Sequence, residues 1–141
     1  MRGSWDPIVV APGGDYTYGA MKIAVVTDDG STLARHFGRA RYYQVYTVTD
    51  GAVEQEELRD RAGTLHHGHH HHHGHSDHSH AGMVEQIEDV DVLIVGGMGS
   101  GARQAMDAAG IHVVATSLNQ TRPAVEALLS GTLSHEDSLF H

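Results

Sequence analysis

Short apolar runs separated by polar punctuation mark out the first half of this chain, and helical spacing joins them in the second. Lys22-Ile23-Ala24-Val25-Val26-Thr27 reads as a strand closed by Asp28-Asp29-Gly30. Tyr42 to Val48, rich in aromatic and β-branched residues, gives a second strand, and Val53 to Leu58 a third. The Asp50-Gly51 pair between them is a tight-hairpin signal. After a stretch without periodicity, His80, Met83, Val84 and Ile87 share the spacing of one helix face, which turns His80 inward and leads to a buried strand, Asp91 to Val95. The turn Gly96-Gly97-Met98-Gly99-Ser100-Gly101 follows. A helix then carries Ala102, Ala105, Met106 and Ala109 on one stripe and stops at Gly110. Ile111 to Ala115 forms the last strand. The last helix starts near Thr121-Arg122-Pro123, is buried through Val125, Leu128 and Leu129, and ends at Gly131. From Thr132 onward the chain is expected to fray, so His135, Glu136, Asp137 and His141 receive no role despite their ligand chemistry.

Three strands followed by helix, strand, helix, strand and helix make an α/β fold with a mixed five-stranded sheet and helices on both faces. The hairpin reverses the second strand only. Right-handed crossovers leave the last two strands parallel to the first. Three connections then leave one edge of the sheet: Thr27 to Gly38, the aperiodic stretch after the third strand, and the glycine turn at 96–101. Ligands bind at that carboxyl edge in open α/β sheets. A length of 141 residues suits one domain, taken here as residues 21–133. Residues 1–20, with Trp5, Pro7, Pro12 and Gly13-Gly14, form an extension that is either native or a cloning remnant, and 134–141 form a tail.

Ten of the fourteen histidines fall between His66 and His80, all but the last in the aperiodic stretch: His66, His67, His69, His70, His71, His72, His73, His75, His78 and His80. Imidazole suits borderline divalent metals such as Ni, Zn, Co and Cu, so the tract reads as a metal-gathering loop. The plainer alternatives are a solvated linker or a purification tag. A tag is an unbroken terminal run, whereas this tract is internal and interrupted by Gly68, Gly74, Ser76, Asp77 and Ser79. The absence of cysteine excludes thiolate ligands, which leaves His, carboxylate, Met and backbone groups to hold any metal. A formal net charge of −9 with a single lysine, Lys22, argues against a nucleic-acid partner. No apolar run reaches membrane-span length, and the N-terminus has no secretory pattern, so a cytoplasmic location is the expectation.

Read from the residues, His36 lies in a Gly-flanked loop with Arg39 and Arg41 close behind, placing an imidazole beside cations suited to an anionic cluster or carboxylate. A structural role in the turn, with Phe37 filling the core, is the alternative. Asp28 and Asp29 orient that loop or cap a turn. The segments MKIAVVTDDG, HFGRARYYQVYTV, DVLIVGGMGSGA, IHVVAT and a final SGTL, in that order over roughly residues 21–133, resemble the dinitrogenase iron-molybdenum cofactor biosynthesis family. This family includes the NifX-like and NafY-like proteins and the related domain of NifB. The resemblance implies a ribonuclease H-like α/β fold and a non-catalytic protein that binds or carries an iron-sulfur or molybdenum-containing cofactor, with cofactor-assembly or acceptor proteins as partners. It also implies a cofactor contact at His36, in a site formed with Gly38, Arg39, Gly97 and Gly99. The cysteines that some relatives place near the site are missing here.

Two enzymatic readings compete. Gly97-x-Gly99-x-x-Ala102 after a strand fits a dinucleotide fingerprint, so a nucleotide-binding enzyme using the turn at 96–101 is the main rival. Thr116 and Ser117 stand where the ribose-binding acid belongs, and no Gly-Lys-Ser/Thr follows for a P-loop. A nuclease of ribonuclease H type needs converging carboxylates, and the first strand carries none between Lys22 and Thr27.

Overall fold

The computed structural model describes residues 20–61 and 82–141. Five strands form one sheet in the order β3-β2-β1-β4-β5: β1 (Ala20–Thr27), β2 (Tyr42–Thr49), β3 (Ala52–Asp60), β4 (Val92–Val95) and β5 (His112–Ala115). β2 is antiparallel to both β1 and β3, whereas β1, β4 and β5 run parallel, as the hairpin and crossovers require. Asp50 (φ 55°) and Gly51 (φ 82°) make the left-handed pair of a two-residue hairpin turn, whose twist matches that of the strands. β3 extends to Asp60, past the Leu58 limit inferred from its side chains. Backbone pairing with β2 continues through Tyr43↔Arg59 and Tyr42↔Asp60 on an exposed edge where apolar periodicity carries no information.

Ile23–Val26 of β1 and Val92–Val95 of β4 are completely buried, which explains why these strands read as continuous apolar runs rather than as alternation. α1 (Ser100–Ala108) joins β4 to β5, and α2 (Thr121–Ser130) follows β5, while residues 82–85 are also helical. Two tyrosines of β2 define the layers. Tyr43 and Tyr46 are three residues apart and therefore face opposite sides. The Tyr43 hydroxyl donates to the Met83 carbonyl at 3.2 Å, and the Tyr46 hydroxyl shares a hydrogen bond with Thr121 of α2 at 2.8 Å. Helices thus cover both faces, and right-handed crossovers place α1 on the Met83 side.

The expected fraying of the C-terminal residues does not occur. The Ala115 N–H donates to His135 Nδ1 at 3.2 Å and the Glu136 N–H to the Ala115 carbonyl at 2.9 Å. Farther on, Met98 N–H bonds the Leu139 carbonyl, His141 N–H the Met98 carbonyl, and Ser100 N–H the His141 carbonyl, at 3.1, 2.9 and 2.9 Å. The cause is backbone demand: an edge strand and a glycine turn both carry groups that need partners, and this segment supplies them.

Candidate functional site

The loop leaving β1 is held by short-range hydrogen bonding. The buried Thr27 hydroxyl donates to the Thr32 carbonyl at 2.6 Å and accepts from the Gly30 N–H at 2.9 Å. Asp29 Oδ1 accepts the N–H groups of Thr32 and Ser31 at 2.7 and 2.9 Å, and these bonds hold its carboxyl down at about 2. Asp28 accepts the Arg41 N–H at 3.0 Å, closing the far end of the loop. Both aspartates therefore organise the turn, as their position suggested.

Between these anchors the chain crosses the glycine turn at very short range. A Cβ built on Gly97 would stand 2.6 Å from the Arg35 carbonyl oxygen, and one on Gly96 2.5 Å from the Ala34 carbonyl oxygen. Only residues without a side chain allow this approach. The crossing is locked by the Phe37 N–H donating to the Gly97 carbonyl at 3.0 Å, and by Arg35 Nη2 donating to the Leu118 carbonyl at 2.7 Å. Phe37 is buried beneath the turn. Its carbonyl accepts from Arg61 Nη1 at 2.7 Å, and the Arg61 guanidinium stacks 4.6 Å from the Phe37 ring and 4.9 Å from that of Tyr43. Burial pulls the Arg61 guanidinium below the usual arginine value, with Tyr43 and Asp28 opposing.

Above this floor lies a pocket of about 320 Å³ lined by Phe37, Gly38, Met83, Gly99–Ala102 and His141. That volume sits at the small end of ligand-sized pockets. Of the residues singled out from sequence, Gly38 and Gly99 line it together. His36 and Arg39 flank Gly38 in the same 3₁₀ turn and are exposed, whereas Gly97 is buried and contributes its carbonyl to the crossing. The His36 side chain makes no hydrogen bond with a described residue. The sequence did not point to Arg61 or His141, and it reached Ser100 only as part of the 96–101 turn. Arg61 has no pattern of its own, and His141 sits in a segment whose pairing is invisible before folding.

The histidines from His66 to His80 lie outside the described residues, as does the inward orientation expected for His80. Both ends of the segment that carries them are fixed at this edge. Arg61 is buried against Phe37, and Met83 lines the pocket. The two ends are also tied to each other: Gln86 Nε2 donates to the Asp60 carbonyl at 3.1 Å, and Arg59 makes a two-pronged ion pair with Asp89 at 2.8 Å for each contact. That pairing holds the Asp89 carboxyl well below its ordinary value. Among the described residues, no three His, Asp or Glu side chains cluster so as to hold a metal ion. No helix among them is long and apolar enough to cross a membrane.

The fold is that of an α/β protein whose edge pocket is lined by a β1–β2 loop and a strand-to-helix glycine turn. The family described as dinitrogenase iron-molybdenum cofactor matches residues 19–131, and the chain belongs to it. Among solved structures, it is similar to the apo form of the orange protein from Desulfovibrio gigas, with 24% identity, 85% of this chain and 96% of that chain covered, and a TM-score of 0.64. It is also similar to a Methanocaldococcus jannaschii protein with a provisional dinitrogenase name (13% identity, 84% and 97% covered, TM-score 0.61). A Thermotoga protein with a provisional NifB name is a third (20% identity, 82% and 92% covered, TM-score 0.53). At these identities the likeness establishes the fold alone. No curated protein matches the chain.

Proposed function

We propose that this protein is a non-catalytic carrier or storage protein for a metallocluster, an iron-sulfur or molybdenum-containing cofactor, and that its histidine tract gathers divalent Ni, Zn, Co or Cu beside the same site. One observation carries the reading. The His36–Arg39 turn and the glycine turn meet around a single pocket, and the segment bearing ten histidines starts and ends there. His36 offers an imidazole with no hydrogen-bond partner among the described residues and Arg39 a positive charge suited to an anionic cluster, while Gly38, Gly97 and Gly99 shape the backbone around it. The donor set fits a metal-bearing cargo in the absence of thiolate, because imidazole and thioether are the nitrogen and sulfur ligands that remain. Exchange with cofactor-assembly or acceptor proteins, a cytoplasmic location and a ribonuclease H-like description of the 21–133 unit accompany this reading. The nucleotide-enzyme alternative meets two obstacles: the Arg35 carbonyl stands against Gly97, and the His141 carbonyl takes the Ser100 N–H at the start of α1, where a pyrophosphate would need room and donors.

The test uses full-length protein prepared without metal-affinity resin. Wild type is expected to bind more than one Ni(II) and to release it on acidification, as protons compete for the imidazole nitrogens. Replacing the ten tract histidines by asparagine should remove that stoichiometry, whereas His36→Ala should leave it and instead weaken binding of tetrathiomolybdate, used as a small molybdenum-sulfide probe. Full Ni(II) stoichiometry in the asparagine variant would sink the metal-gathering role. Undiminished affinity of His36→Ala for the probe would sink the cluster role.

A further inference from the structure

The C-terminal segment forms part of the pocket wall. His141 lines the pocket beside Gly38 and Met83, and two backbone hydrogen bonds, to Met98 and Ser100, set its position, with a third between Met98 and Leu139 beside them. The approach to it is fastened independently. The Phe140 ring lies 4.1 Å from the Arg103 guanidinium and 5.6 Å from the His135 ring, and Glu136 Oε2 accepts the Ser117 hydroxyl at 2.7 Å and its N–H at 3.0 Å. None of these contacts uses the His141 imidazole. That side chain is exposed and makes no hydrogen bond with a described residue. The main chain is anchored at the pocket, and its imidazole has no hydrogen-bond partner among the described residues, which leaves it open to a ligand there.

We propose that His141 is a second cargo-contacting histidine, presenting an imidazole to the metal-bearing group from the C-terminal wall of the pocket while His36 acts from the β1–β2 loop. The assignment rests on the carrier reading above. It gives a cysteine-free site two nitrogen donors drawn from distant parts of the chain, with Met83 also lining the pocket.

Full-length wild type, His141→Ala and His36→Ala are titrated with tetrathiomolybdate and followed by its visible absorption. His141→Ala should bind about tenfold more weakly, the loss expected for one hydrogen bond to an anionic probe. Its melting temperature should stay within about 2 °C of wild type, because the pairing of the segment is made by backbone groups. Wild-type affinity in His141→Ala, with binding still weakened in His36→Ala, would overturn this assignment and leave the carrier reading intact. A melting temperature far below wild type would mark His141 as structural and overturn it as well. No binding by wild type would remove the carrier reading and this inference together.

Discussion

Gly97→Ala tests the claim that the glycine turn exists to let the β1–β2 loop cross it. The added Cβ would lie 2.6 Å from the Arg35 carbonyl oxygen, about 0.8 Å inside the 3.4 Å at which ordinary contact begins, and 3.6 Å from the Leu139 carbonyl oxygen. The first obstacle is backbone rather than the tip of a flexible side chain, so the 34–37 segment has to move as a unit. Overpacking of this kind costs about 1–3 kcal/mol, and stretching the Phe37 N–H bond to the Gly97 carbonyl adds about 1 kcal/mol. A loss of about 2–4 kcal/mol should lower the melting temperature by roughly 5–15 °C in a domain of this size, measured by far-ultraviolet circular dichroism. Gly38→Ala is the control, since a Cβ there meets nothing within 4 Å and should cost under about 0.5 kcal/mol. If Gly97→Ala melts within 2 °C or so of wild type, the close crossing is not what the glycine is for.

Arg61→Ala should destabilise the fold by about 2–3 kcal/mol in urea titration, because it strips the donor from the Phe37 carbonyl and the stacked cation from two rings; an unchanged midpoint would contradict that role. The Asp29 carboxyl, held at about 2 by the Thr32 and Ser31 N–H groups against an ordinary value of 3.8, contributes stability that is present above pH 4 or so and is lost as the pH falls toward 2. Asp29→Asn should therefore be less stable than wild type at pH 7 and converge with it near pH 2; a stability difference that does not change with pH would show that the charge has no part in holding the turn.

Much of the architecture was legible from local pattern. The β1 and β4 runs, the Asp50-Gly51 hairpin and the two late helices each carry a short-range signal: apolar burial, left-handed turn residues, or helical spacing. With handedness added, these placed the His36 loop, the departure point of the histidine-bearing segment and the glycine turn at one edge. The register of β3 beyond Leu58 was not legible, since an exposed edge strand with Glu54, Glu56 and Glu57 is specified by backbone pairing rather than by its side chains.

Composition and local order set which residue types are available and which edge they reach: imidazoles instead of thiolates, two arginines behind His36, and glycines after β4. Tertiary structure alone decided what those glycines face, namely the carbonyls of Ala34 and Arg35, and that Arg61 would be buried beneath Phe37. It also decided that residues 135–141 would pair with β5 and the glycine turn and bring His141 to the pocket. Turns and amphipathic periods are encoded within a few neighbouring positions. The filling of a backbone groove, or the choice of partner for an unpaired N–H, depends on atoms tens of residues apart that meet only after the sheet has formed.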